Sequence, residues 1–411
     1  HSPLPTPSSH PIAYKVTRMQ SNHRIYLDNA ATSWPKPEAV YEAVDRYQRE
    51  IGAPNGRSGY REALEANRIV ERARRGVAQL IGAREASHVV FGCNGTDVLN
   101  LAIRGLVRAG DHVVTTVCDH NSVLRPLRAL RESLDVDASY VACDGDGFVS
   151  PDDIRAALRP NTRLVAVVHA SNVTGAIQPI DEIGQIVRES PALFLVDAAQ
   201  SLGHLPIDVS GLEVDLLAAP GHKGLLGPLG TGVLYIRPGV ERELQPLRCG
   251  GTGTRSEEDR QPDDLPDKYE PGNHNLLGLA GLGAAVEFLR AQTIAAVHAH
   301  HSRLAARLLE GLRGIEGLTV HGPQTPDSRT SVVSITVEGY DPQELAAVLE
   351  SAHRIQCRAG LHCAPRMHEA LGTTAGGGTL RLSPGYSTSL EEIDAVIVTL
   401  REVTATAPQR I

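Results

Sequence analysis

An aspartate and a lysine stand at the ends of two apolar runs in LVDAAQSLGHLPIDVSGLEVDLLAAPGHKGLLGPLGTG (195–232), and that pairing has a chemical use. Asp197 closes the first run, Lys223 follows the second, and Gln200 and His222 lie between them. A lysine beside a buried strand end is costly, because its ammonium loses water without gaining a partner. An electrophilic cofactor that takes the amine as a Schiff base gives such a lysine a purpose. Pyridoxal 5'-phosphate is one, and it also needs an acid that keeps its ring nitrogen protonated. Asp197 is placed to be that acid. A solvated lysine at an ordinary strand edge accounts for this stretch equally well, so the decision lies elsewhere in the chain.

Other residues carry the same double reading. In NGTDVLNLAIRGL (94–106), Gly95 and Thr96 open a helix whose free N–H groups would seat a phosphate, although the same residues make a plain N-cap. His120, in TVCDHNS, could stack on a flat ring or shuttle protons, or be satisfied within its loop. Asn172, in HASNVTG, offers an amide at a strand end. In RAGLHCAP (358–365), Cys363 has His362 beside it and Arg358 nearby, which suits a thiolate nucleophile, although a buried structural cysteine accounts for these residues as well. Arg381, inside the apolar TLRL, requires an anion, either a substrate carboxylate or a structural acid. His298, His300 and His301 form a helical cluster that reads as a solvated face, and no metal site is expected.

These residues fall at the ends of elements. Apolar β-type runs at 88–91, 112–117, 164–169, 192–196, 212–218 and 232–236 mostly alternate with helical segments, among them those starting at Pro151 and Ile180. Continuous apolar strands alternating with helices imply an α/β fold with a largely parallel sheet covered on both faces. Sites in such folds lie beyond the carboxyl ends of the strands, where these residues are. Before the sheet, a helix from Pro37 through Val40, Val44 and Tyr47 and a loop over 51–60 precede a long amphipathic helix. That helix has Leu64, Ile69, Val70, Val77 and Leu80 on its apolar side and ends at Gly82. A large domain over 24–275 closes with an irregular stretch (247–275). Residues 276–411 form a linker helix and a smaller α+β domain, with strands near 331–337 and 380–383 and a final helix from Leu390. Residues 1–23, rich in Pro and Ser, read as a disordered arm outside the fold. The chain of 411 residues is 41% hydrophobic with a formal charge of −8, which supports neither nucleic-acid nor membrane-surface binding. Six cysteines without CxxC spacing indicate reduced thiols in a cytoplasmic protein rather than a zinc site or disulfide framework.

The ensemble resembles the class V, fold-type I pyridoxal phosphate enzymes, and within them the SUF-type cysteine desulfurases and related selenocysteine lyases. The matching motifs are YLDNAAT (26–32), FGCNGTDVLNL (91–101), DHNS (119–122), HASNVTG (169–175), VDAAQ (196–200), GHKGLLGPLGTGVLYI (221–236) and RAGLHCAP (358–365), in order along the chain. The resemblance implies a mostly parallel seven-stranded sheet and an L-cysteine desulfurase yielding L-alanine. A selenocysteine lyase or another class V aminotransferase or C–S lyase is the alternative. It implies that Lys223 carries the cofactor and moves protons, and that Asp197 pairs with the ring nitrogen. Gln200 would bond the ring oxygen, His120 would stack on the ring, and Gly95, Thr96 and His222 would hold the phosphate. Asn172, Arg358 and Arg381 would bind the substrate with Asn29 nearby, and Cys363 would carry the persulfide. A homodimer and a sulfur-acceptor protein, with a role in sulfur mobilisation such as iron–sulfur cluster assembly, are further implications. Two positions depart from the pattern. Pro220 replaces a common hydroxyl residue, and Asn273 replaces a threonine that would reach the neighbouring subunit's phosphate.

Overall fold

The computed structural model describes residues 24–405 apart from Arg57 and Ser256, so the arm expected over 1–23 lies outside the described residues. A short first strand, β1 (Ile25–Tyr26), leads to the helices Glu38–Arg46 and Arg61–Leu80. The second helix buries Ala63, Ala66, Val70, Ala73 and Val77, whereas Leu64, expected on the apolar side, is exposed. Small side chains form the buried stripe because another helix approaches closely. A Cβ on Gly76 would stand 3.2 Å from Val286 of the helix Leu276–Gln292.

The large sheet is built from β2 (Val89–Gly92), β3 (His112–Thr116), β4 (Asp137–Val141), β5 (Thr162–Val168), β6 (Leu193–Asp197), β7 (Leu216–Pro220) and β8 (Gly232–Ile236), in the order β2-β8-β7-β6-β5-β3-β4. Neighbours from β7 to β4 are parallel, and only β8 runs against its partners β7 and β2. Successive residues enter opposite cores. Leu164, Ala166, Leu193, Leu195 and Leu216 pack on one face, and Val165, Val167, Phe194, Val196 and Leu217 pack on the other. Burial on both faces explains why these strands read as continuous apolar runs. The edge strand β4 is half-polar DASYV, covered less completely, and its pattern does not announce a strand.

The helix Leu276–Gln292, expected as a linker, packs Leu279, Leu282, Val286 and Leu289 into the large core. Beyond it lie β9 (Leu318–His321), β10 (Val333–Val337), β11 (Ile355–Gln356), β12 (Arg358–Gly360) and β13 (Thr379–Leu382). Four of these form an antiparallel sheet, β12-β13-β10-β9, whose core also includes residues of the helices Ile294–Leu312, Pro342–His353 and Leu390–Ala405. The chain's beginning belongs here too. β1 pairs in parallel with β11, and Ile25 and Leu27 enter the small core. Consequently YLDNAAT bridges both domains. The irregular stretch over 247–275 is pinned to β2 by Glu270, which takes a bidentate pair from Arg74 (2.7 Å each) and the Phe91 N–H at 2.6 Å.

Candidate active site

The carboxyl ends of β2, β3, β5, β6 and β7 surround a cavity of about 360 Å³. Its lining includes Gly95, Thr96, His120, Asn172, Asp197, Gln200, His222 and Lys223, eight of the residues singled out in the sequence. At one end, Asn94 caps the helix Gly95–Leu106 by accepting from the Asp97 N–H at 2.9 Å. The remaining first-turn N–H groups give this end a positive dipole suited to an anion. A Cβ on Gly95 would lie 3.1 Å from the ring of Pro220, so glycine lets this turn press against the end of β7. Pro220 lines the cavity with its ring where a hydroxyl was the common alternative.

Lys223 follows β7 on a tight turn in which the Leu226 N–H bonds the Lys223 carbonyl and the Gly227 N–H bonds that of Gly221. Gly221 cannot carry a side chain, since a Cβ would meet Thr231 Oγ1 at 2.1 Å. Burial lowers the Lys223 amine to about 8, against the opposing pull of Asp197. Asp197 is buried at the end of β6 and accepts from the Ala199 N–H at 2.9 Å. Burial pushes its carboxyl up, and the Ala199 N–H and the Lys223 charge oppose that rise. Gln200 donates to the Ala30 carbonyl at 3.0 Å, which leaves its second amide hydrogen for the cavity.

His120 caps the helix Asn121–Leu134. Its Nδ1 accepts from the Ser122 N–H at 3.0 Å, and Ser122 Oγ lies 2.9 Å from the same nitrogen and 2.7 Å from Thr96 Oγ1. Burial first, then the Lys223 and arginine charges, bring His120 down to about 4. A neutral ring that accepts at Nδ1 carries its proton on Nε2. His120 is therefore fixed as a donor at Nε2.

The loop that carries Cys363 joins this cavity through two hydrogen bonds. Asn172 Nδ2 donates to the His362 carbonyl at 2.6 Å, and the Asn121 N–H donates to the Cys363 carbonyl at 2.8 Å. His362 and Cys363 both have positive φ (48° and 58°), an unusual backbone for side-chain-bearing residues, which these two bonds hold in place. The exposed Cys363 thiol lies 3.7 Å from Arg358 Nη2. Arg358 and Arg381 are directly opposite each other on β12 and β13. Like charges at such a position repel unless an anion is shared. The structural acid is present: Asp28 bonds Arg381 Nη2 at 2.7 Å, while Nη1 reaches the Asn172 carbonyl at 3.2 Å. Arg381 Nε is buried with no partner among the described residues.

Two expectations, Asn29 and the histidine cluster, sit differently, and Asn273 concerns a neighbouring subunit. Asn29 is buried outside the cavity lining, with its amide spent on the carbonyls of Tyr26 and Ser383 and the N–H of Trp34, so it ties the two domains rather than facing a ligand. Asn273 is exposed and outside the lining. The histidine cluster is not a solvated face: His301 is buried with its ring 4.4 Å from that of His204, across the domain junction. Sequence reading also passed over Ser33 and Lys36. Ser33 Oγ bonds the carbonyls of His222 and Lys223 at 3.0 Å, and Lys36 Nζ bonds Ser33 Oγ at 2.7 Å and the His222 carbonyl at 2.9 Å. They hold the backbone at Lys223 from the other side of the fold, and no local pattern marks them.

The buried imidazoles carry a pH consequence. His120, His169, His204 and His222 are each lowered to about 4, with burial the first cause. Unfolded histidine titrates at about 6.5, so between about 6.5 and 4 the unfolded chain binds more protons, and stability falls as pH falls. The loss approaches about 1.4 kcal/mol per pH unit for a fully buried ring such as His169. Urea midpoints of the cofactor-free protein should drop between about pH 7.5 and about pH 5. Equal midpoints would mean that the rings are already protonated in the native state.

A profile of the aminotransferase class-V family matches residues 25–396. A probable cysteine desulfurase of Methanothermobacter thermautotrophicus is 39% identical over 385 residues, covering 92% of this chain and 94% of the relative. The cysteine desulfurase IscS of Methanosarcina thermophila is 34% identical over 93% of this chain and 92% of its own length. Among solved structures, the apo cysteine desulfurase of Thermococcus onnurineus superposes with a TM-score of 0.87 at 35% identity, covering 93% of this chain and 95% of that one.

Proposed function

This chain belongs to the class-V aminotransferase family, and from that premise we propose that it is an L-cysteine desulfurase, converting L-cysteine to L-alanine with the sulfur retained on Cys363. Its architecture is that of a fold-type I pyridoxal phosphate enzyme, and the residues present fit that cofactor. Among the described residues the buried Asn172 Oδ1 and His222 Nδ1 have no partner, and the one cation that acts on the buried Asp197 carboxylate is Lys223. Gly95, Thr96 and His222 would hold the phosphate, Asp197 the ring nitrogen, Gln200 the ring oxygen, and His120 the ring face. Bound there, the cofactor supplies an electron sink that makes the substrate Cα–H acidic and the Cβ–S bond labile.

The chain's own residues divide the remaining work. Lys223 Nζ, its amine lowered to about 8 by burial, accepts the Cα proton and returns one to the product carbon. Arg381 and Arg358 supply paired positive charge for the substrate carboxylate, with one Arg381 nitrogen already held by Asp28. The Cys363 thiolate attacks the substrate sulfur. One S–S bond forms as the substrate C–S bond breaks, and the carbon skeleton leaves as alanine after taking up a proton. The observation that carries this reading is the attachment of the Cys363 loop to the cavity through Asn121 and Asn172.

The exposure of Cys363 supports onward transfer to a sulfur-acceptor protein, with iron–sulfur cluster assembly one destination. We take the working unit to be a homodimer in which exposed Asn273 faces the neighbouring subunit's cofactor. Six free cysteines accord with a reducing, cytoplasmic setting. The test is incubation of the holoenzyme with L-cysteine. Alanine should appear, and the Cys363 peptide should gain one sulfur atom in its mass. Pyruvate without alanine, or an unmodified Cys363 peptide, would reject the assignment.

A further inference from the structure

Two helix N-termini converge at one end of the cavity, and between them lies a hydroxyl to which the reaction gives no role. Thr96 is the second residue of the helix Gly95–Leu106, and Ser122 is the second residue of the helix Asn121–Leu134. Ala102 of the first helix and Leu127 of the second enter the same core, which fixes the two ends against each other. Thr96 and Ser122 both line the cavity. Ser122 is buried, and its Oγ lies 2.7 Å from Thr96 Oγ1 and 2.9 Å from His120 Nδ1. One hydroxyl hydrogen therefore has two claimants. Neutral His120 has a single lone pair at Nδ1, and that lone pair already receives the Ser122 N–H at 3.0 Å. Thr96 Oγ1 can either accept from Ser122 or donate to it. What Thr96 faces decides between the two. A phosphate monoester is a dianion above a pH of about 6 and offers acceptors only, so Thr96 must donate to it and is left free to accept.

We propose that Ser122 is a positioning residue that couples the phosphate seat to His120 through this shared hydrogen. With an anion in the seat, the hydrogen bonds run one way. Ser122 donates to Thr96, Thr96 donates to the anion, and His120 Nδ1 keeps the Ser122 N–H alone. With the seat empty, Thr96 donates to Ser122, and the Ser122 hydrogen turns to Nδ1. Ser122 thereby aims the Thr96 hydroxyl at the anion and changes the hydrogen bonding of the ring-facing histidine when the seat fills. The inference rests on the reading of the cavity as a pyridoxal phosphate site, and it adds a residue that acts through Thr96 rather than on the substrate.

The test is a double-mutant cycle on pyridoxal phosphate binding to the full chain, using the parent, Ser122→Ala, Thr96→Val and the double variant. Ser122→Ala should raise the dissociation constant about fivefold, the effect of losing one net hydrogen bond. In the Thr96→Val background the same change should raise it by less than about twofold, because the partner through which Ser122 acts is gone. No loss in Ser122→Ala, or equal losses in both backgrounds, would overturn the proposal. A second readout needs no variant and decides the question even if the variants fail to fold. In the parent carrying isotope-labelled histidine, the His120 Nδ1 resonance should differ between saturation with pyridoxal and with pyridoxal phosphate, which present the same ring and differ only in the seat. An identical resonance in the two complexes would sink the coupling. Failure of the parent to bind pyridoxal phosphate at all would instead overturn the assignment of the cavity, and the coupling with it.

Discussion

Lys223→Ala should lose at least about 10⁴-fold in kcat for alanine formation, together with the visible absorption that pyridoxal phosphate gives when attached to a lysine. The size of the effect follows from how much converges on one nitrogen. The amine is lowered to about 8 by burial at the end of β7, and its backbone carbonyl is gripped by Ser33. The charge of Asp197 reaches it from the end of β6. Among the described residues no other lysine lines the cavity, so no second amine there can carry the cofactor. Removing the side chain also removes an ammonium from a desolvated site, so the fold should not weaken, and thermal unfolding of the variant should stay close to that of the parent. That control separates loss of chemistry from loss of structure. Retention of the visible band in Lys223→Ala would mean that the cofactor is carried elsewhere, and the assignment of the cavity would fall with it.

The sequence made the cavity legible because its residues mark the ends of strands. Asp197, His120, Asn172 and Lys223 each follow an apolar run, and parallel strands buried on both faces bring such ends together whatever lies between them. The features that escaped depend on contacts remote in sequence. Lys36 meets the His222 carbonyl across 186 residues, and Asp28 meets Arg381 across 353. Neither motif contains a hint of its partner. Arg381 illustrates the cost of reading one residue alone. Its two candidate anions, a substrate carboxylate and a structural acid, looked exclusive, whereas the geometry provides the acid on one nitrogen and leaves Nε buried without a partner among the described residues. The histidines at 298–301 misled for the opposite reason. A helix presents His301 at a spacing that looks solvent-facing until the turn carrying His204 packs against it.

Cys363→Ser should cut alanine and sulfide formation by at least about 10²-fold while leaving Cα proton exchange with solvent within a few-fold of the parent. The two readouts separate because the geometry separates the two groups. In the proposed mechanism, proton movement at Cα falls to Lys223 in the large-domain cavity, whereas sulfur removal falls to a thiol held beside that cavity by hydrogen bonds to its backbone. Those bonds use the carbonyls of His362 and Cys363, which serine does not alter, and the left-handed backbone at both positions is equally open to serine. Substrate binding, loop position and Cα chemistry are therefore expected to survive. What goes is the nucleophile: a hydroxyl beside Arg358 remains protonated at neutral pH, and it forms no stable bond to sulfur comparable to a persulfide. Deuterium incorporation into cysteine in heavy water, followed alongside alanine release, measures both quantities in one sample. Unimpaired alanine and sulfide production by Cys363→Ser would remove the thiol from the mechanism and make the cavity a C–S lyase site that releases sulfide directly. Joint loss of exchange and turnover would show instead that the loop through Cys363 positions the substrate as well as taking its sulfur, with Asn172 the side chain through which that dependence would run.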